Sequence, residues 1–157
     1  MRVEPTQLER KIFMNNNFNL MKIDEVGKFS TLDYIQNDDI YEVMNLRLAL
    51  EENPHPISEV INVAIYINDV EFSVVNAKNT DGEEYKTIRT VVLATKVENG
   101  ESILFATNSK IFAEKMASIL NIIGCPRNLP EDRKFKFKVT QLELANAKRS
   151  YSIVPVR

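Results

Sequence analysis

One cysteine, one histidine and no tryptophan among 157 residues remove several kinds of protein at once. Cys125 has no second thiol to pair with, so an internal disulfide is excluded, as is any zinc site assembled from several cysteines. A reducing, cytoplasmic setting is the simplest expectation. His55 stands between Pro54 and Pro56, a context that suits an extended linker better than a general base. A His-based triad or a multi-His metal site is therefore not expected. The glycines, Gly27, Gly82, Gly100 and Gly124, have neither dinucleotide-binding nor P-loop spacing. No nucleophile-elbow motif occurs either. No run of about eighteen apolar residues is present, and Met1 to Arg10 is polar and charged, so neither a membrane partner nor an export signal is expected. Together these absences point to a protein that is not an enzyme and uses no cofactor.

The charge that is present is unevenly placed. The net charge of −2 hides a gradient along the chain. Residues 1–59 carry six Lys/Arg against eleven Asp/Glu, residues 60–132 carry seven against ten, and residues 133–157 carry seven against one. The last segment is thus strongly basic, which directs attention to an anionic partner.

Apolar alternation predicts strands over Val60 to Ala77, Glu84 to Val97, Ser102 to Thr107, Arg133 to Leu144 and Lys148 to Val156. Asn68-Asp69 within the first reads as a bend or bulge in one long strand, with a hairpin turn as the alternative. Thr80-Asp81-Gly82, Glu98-Asn99-Gly100 and Asn146-Ala147 read as turns. Between the third and fourth strands, Ile111, Phe112, Met116, Ile119, Leu120 and Ile123 recur at helical spacing. Asn108 or Ser109 can cap that helix, and Gly124 with Pro126 ends it. Five strands with a helix in this place predict a mainly β fold, the five-stranded OB barrel, over residues 57–157. Residues 1–56 form an N-terminal extension. Within it residues 1–30 read as an arm, and a helical pattern over Thr31 to Glu52, divided at the Asn37-Asp38-Asp39 cluster with Asn37 or Asp38 as N-cap, is stopped at Asn53-Pro54-His55-Pro56. Asp33, Asp38, Asp39 and Glu42 are read as helix-start charge and not as a metal site. The acidic extension is the expected element of self-association.

Lys134, Lys136 and Lys138 alternate with Phe135, Phe137 and Val139. Strand geometry would place the aromatics inward and set the ammonium groups in a row about 7 Å apart, a spacing that can follow a phosphate backbone. Lys148 and Arg149 add charge on the last strand. Tyr66 is expected outside the core, because Ile65 and Ile67 have the opposite parity, and offers a ring on which a base can stack. Tyr85, Lys86 and Arg89 form a second group on the second strand. Tyr151 shares parity with Ile153, so both an inner position and a stacking role are open to it.

The stretches Tyr85-Lys86-Thr87-Ile88-Arg89-Thr90-Val91-Val92 and Ile103-Leu104-Phe105-Ala106-Thr107-Asn108-Ser109-Lys110-Ile111-Phe112 resemble small single-stranded DNA-binding proteins of Gram-positive phages and conjugative plasmids. The resemblance covers roughly residues 58–156. It implies an OB-fold protein that binds exposed DNA strands without sequence preference during replication or transfer, with RNA as an alternative ligand. A protein-interaction module on the same barrel is the alternative function. Unlike the housekeeping bacterial type, the sequence given shows no acidic tail and closes on Ile153-Val154-Pro155-Val156-Arg157.

Overall fold

The computed structural model describes residues 27–144 and 149–157. The expected turn at Asn146-Ala147, the candidate Lys148 and residues 1–26 of the expected arm lie outside the described residues. Among the described residues the architecture is mainly β, a strongly curled half-barrel sheet with two helices.

Two long strands organise the sheet. β3 (Ala64–Lys78) and β4 (Glu84–Lys96) pair antiparallel from Ile65↔Lys96 to Lys78↔Glu84. They are joined by a turn in which Asn79 Oδ1 accepts hydrogen bonds from the Asp81 and Glu83 amides. Gly82 sits there at φ +80°, a conformation that a side chain would strain. β5 (Ser102–Thr107) lines the other edge of β4.

β3 shares its remaining edge between two partners. β6 (Lys136–Glu143) pairs at Ala64–Tyr66, and β1 (Lys28–Ser30) pairs at Glu71–Ser73. Between them the β3–β4 register slips at Ile67/Asp69. The strand therefore runs continuously through Asn68-Asp69 and bends there, since an extra residue on one strand increases local twist. β7 (Arg149–Val156) pairs along the whole of β6. With the short strand β2 (His55–Pro56) on the free edge of β5, the order is β2-β5-β4-β3-β6-β7, with β1 beside β3.

The core lies on the concave face. Ile65, Ile67, Val70, Phe72, Val92, Ala94, Phe105, Phe137, Val139 and Ile153 pack there with Phe112, Ala113, Met116, Ala117 and Leu120. The latter belong to α2 (Lys110–Ile123), whose N-cap is Ser109. The same Ser109 hydroxyl lies 2.8 Å from Ser150 Oγ, tying the start of α2 to β7.

A second apolar cluster lies on the reverse face. Leu32, Leu50 and Val91 are buried together, with half-buried Ile35, Leu46, Leu93, Leu104 and Ala106 around them. It is formed by α1 (Ile40–Leu50) and the 3-10 turn Thr31–Tyr34 closing over β4 and β5. Val91-Val92-Leu93-Ala94 therefore buries both parities, as a strand covered on two sides does.

Several local expectations are corrected. Among the described residues the sheet has two short strands, both before Ile57, besides the five that lie over residues 57–157. His55–Pro56 is not a free linker but forms β2, parallel to Phe105–Ala106. The cap of α1 is Asp39, whose carboxylate accepts from the Tyr41 and Glu42 amides, while Asn37 Oδ1 accepts from Asp39 N. β3 starts at Ala64 and not at Val60, because Val60 closes a 3-10 turn and Asn62 takes φ +62°. β6 starts at Lys136, after a 3-10 turn over Glu131–Arg133. Phe135 is consequently 50% exposed instead of facing the core.

Candidate nucleic-acid interface

In an antiparallel ladder, directly opposed residues project from the same face. Tyr66 on β3 is opposed by Thr95 on β4 and by Lys136 on β6. One row further, Ala64 is opposed by Lys138, and Lys138 by Val154 of β7. Ile65 and Phe137, of the other parity, are buried in the core. Tyr66, Lys136 and Lys138 therefore share the convex face, with Val154 and Val156 beside them. All three are half-buried, as expected where lysine stems lie along a sheet with the ammonium at the surface.

Lys134 is placed differently. It precedes β6, and its Nζ lies 3.3 Å from Glu131 Oε1 with the side chain only 24% exposed. Its charge also helps to hold down the pKa of Asp69. The expected row of three lysines thus contains two on the strand and one engaged by carboxylates.

Tyr85 and Arg89 have the parity of Thr95 on β4 and so belong to the same face. Ten residues separate Tyr85 from Thr95, about 33 Å along an extended strand, so these residues form a second patch. Arg89 is opposed by Ser73, which is opposed in turn by Lys28; Lys28 Nζ pairs with Glu71 at 3.0 Å. Tyr85 is 49% exposed. Lys86 faces the other way, opposite Asn76. Val91 and Leu93, between the two patches, lie under Leu32, Leu46 and Leu50. The convex face of β4 is therefore interrupted by α1 and the turn before it.

Tyr151 is half-buried against the main core, opposite Gln141, and its backbone amide donates to Ser109 Oγ at 3.4 Å. Arg149 is exposed at the start of β7, opposite Glu143. Neither joins the Tyr66 patch.

The best-built polar contact was not anticipated. Asp69, fully buried at the bulge, receives Arg127 Nε on both oxygens at 2.9 Å and Nη2 on Oδ2 at 2.7 Å. Burial raises the Asp69 pKa from its usual value, against the opposing effects of Arg127 and Lys134. Next to Arg127, Cys125 is buried, its thiol donating to the Thr31 carbonyl at 3.4 Å and raised to about 11 chiefly by burial. These contacts fasten the segment after α2 to the bulge and leave no reactive thiolate near neutral pH. The sequence signal was an aspartate between Ile67 and Val70, an acid inside an apolar strand. Its partner is 58 residues away.

Among the described residues, no three His, Cys, Asp or Glu side chains gather in a manner that could hold a metal ion. Among them also, no helix is long and apolar enough to cross a membrane. No protein-family model, curated protein or solved structure matches the chain.

Proposed function

We propose that this chain binds single-stranded DNA without sequence preference and without catalysis, on an OB-type barrel. The observation carrying the reading is the register that puts Tyr66 between Thr95 and Lys136, with Lys138 one row on. An aromatic ring on which a base can stack, beside two ammonium groups about 7 Å apart, suits a single strand. The spacing of nucleotides need not match a base code, since stacking and phosphate contacts are indifferent to sequence. The order β3-β4-β5-α2-β6-β7, with β3 bridging β4 and β6, supports the OB reading of the sheet. Phage or plasmid replication, or conjugative transfer, is the setting implied by the resemblance at Tyr85–Val92 and Ile103–Phe112.

The test is a fluorescence-anisotropy titration of single- and double-stranded oligonucleotides at two salt concentrations. Preferential binding of the unstructured strand, weakening as salt rises, is the expected result. Absence of binding at low salt overturns the reading. A second reading, a protein-interaction module, is favoured by a separate observation: α1 leaves Ile40, Tyr41, Met44 and Leu48 exposed.

A further inference from the structure

Helix α1 is apolar on two sides. Leu46 and Leu50 pack on the sheet. At about 100° per residue, Ile40, Tyr41, Met44 and Leu48 fall together on a stripe nearly opposite them. Tyr41 is 74% exposed and Leu48 61%, so among the described residues this stripe covers nothing. Its surroundings are acidic. Residues 38–52 contain Asp38, Asp39, Glu42, Glu51 and Glu52 against a single base, Arg47, and Arg47 is already held by Asp33 at 2.5 Å. A surface that fits the stripe must offer apolar groups flanked by positive charge.

The chain itself carries such a surface at the other end of the sheet. Lys136 and Lys138 stand on the convex face of β6 beside exposed Val154, with exposed Phe135, Arg133 and Arg157 at the same edge. α1 cannot reach that surface within its own chain, because Leu46 and Leu50 fasten it over β4 and β5. β6 and β7 lie on the far side of β3 in the strand order.

We infer that α1 of one copy docks its acidic-rimmed stripe on the basic β6–β7 face of a second copy. Donor and acceptor surfaces differ, so the contact is head-to-tail and repeats into an open chain of copies unless its rotation closes a ring. Apolar burial at Tyr41, Met44 and Leu48 would supply most of the attraction, while the opposed charges select partner and orientation. Under the nucleic-acid reading proposed above, on which only this consequence rests, the docked helix occupies the face that phosphates would use. Bound DNA and self-assembly would then exclude one another.

The experiment is sedimentation velocity on the full chain and two double variants, each first shown by circular dichroism to be folded. Met44→Glu with Leu48→Glu alters only exposed positions of α1 and uses a good helix former. Lys136→Glu with Lys138→Glu reverses the acceptor charge. The unaltered chain is expected to associate progressively with concentration, less so at about 1 M salt, where the screening length falls to about 3 Å. Each variant alone should be monomeric. Their equimolar mixture should give a discrete 1:1 dimer, because each supplies the surface the other lacks, and only a head-to-tail contact behaves so. A monomeric unaltered chain overturns the proposal. So does a mixture in which no heterodimer forms while the unaltered chain associates. Should the helix variant not fold, Tyr41→Lys alone replaces it in the same mixture. DNA binding is measured separately on the unaltered chain and on the helix variant: a monomeric helix variant that retains affinity supports both readings, whereas an unaltered chain that assembles while neither protein binds DNA removes only the nucleic-acid reading.

Discussion

Lys136 stands directly across the β3–β6 ladder from Tyr66, so an aromatic ring and an ammonium group leave the sheet side by side. The pairing arises because β6 meets β3 only at Ala64–Tyr66, ahead of the bulge.

If that ring stacks on a base, Tyr66→Ala weakens single-strand binding by about 5- to 150-fold, the equivalent of ~1–3 kcal/mol. Tyr66→Phe keeps the affinity, since stacking needs the ring and not the hydroxyl. Anisotropy titrations with parallel thermal melts check this. Affinity and melting temperature falling together in the Ala variant would make the ring a packing residue instead.

Replacing Lys136 and Lys138 together by Ala should make the slope of log affinity against log salt shallower by about 1.4, at roughly 0.7 per phosphate contact on a single strand. Lys134→Ala should leave that slope nearly unchanged, because its ammonium is already engaged by Glu131. Equal effects from the two replacements would show that all three lysines follow the backbone.

Arg127→Met leaves Asp69 as a buried carboxylate without its bidentate partner, a loss of about 3–5 kcal/mol near pH 7. The sign with pH follows from burial, which already raises the Asp69 pKa and would raise it further in the variant. A carboxyl whose folded pKa exceeds its unfolded one costs stability fully above the folded value and nothing below the unfolded value. The stability gap between variant and parent should therefore narrow as pH falls through the acid range toward that unfolded value. Urea melts at several pH values measure it, and a gap independent of pH would mean that lost packing dominates.

Thr90 is fully buried, and its Oγ1 has no hydrogen-bond partner among the described residues. Thr90→Val keeps the branched shape that suits a strand and removes an unsatisfied hydroxyl, so it should stabilise by about 1 kcal/mol. The melting temperature should rise by about 2–4 °C for a chain of this size. A lower melting temperature would place an unrecognised donor or acceptor at that hydroxyl.

Much of the fold is legible in short stretches. The stripe of α2, Ser109 at its start and Gly124 at its end are local chemistry, as are the turns at Gly82 and Gly100. The break at Asn68-Asp69 could be read as a bend within one strand, and the register shows the shift there. The second apolar face of β4 was present in the text as the unbroken run Val91-Val92-Leu93-Ala94. An alternation reading assigns such a run only one buried side, so the cover supplied by Leu32 and Leu50 went unread. Within the candidate site, the facing of Tyr66 away from Ile65 and Ile67 followed from parity alone. Its neighbourhood with Lys136, the diversion of Lys134 to Glu131 and the separation of Tyr85 and Arg89 from Tyr66 did not.

The sequence by itself determined the five longer strands, α2 and most of the side-chain alternation along them, because turn residues, caps and hydrophobic period act within a few residues of one another. Tertiary structure alone decided which strands are neighbours and in what register. It also chose Arg127 as the partner of Asp69, brought His55–Pro56 to β5, and laid α1 across the convex face of β4. Those outcomes depend on closing loops of tens of residues and on burying two apolar faces of one sheet at once, and no local stretch of chain carries that information.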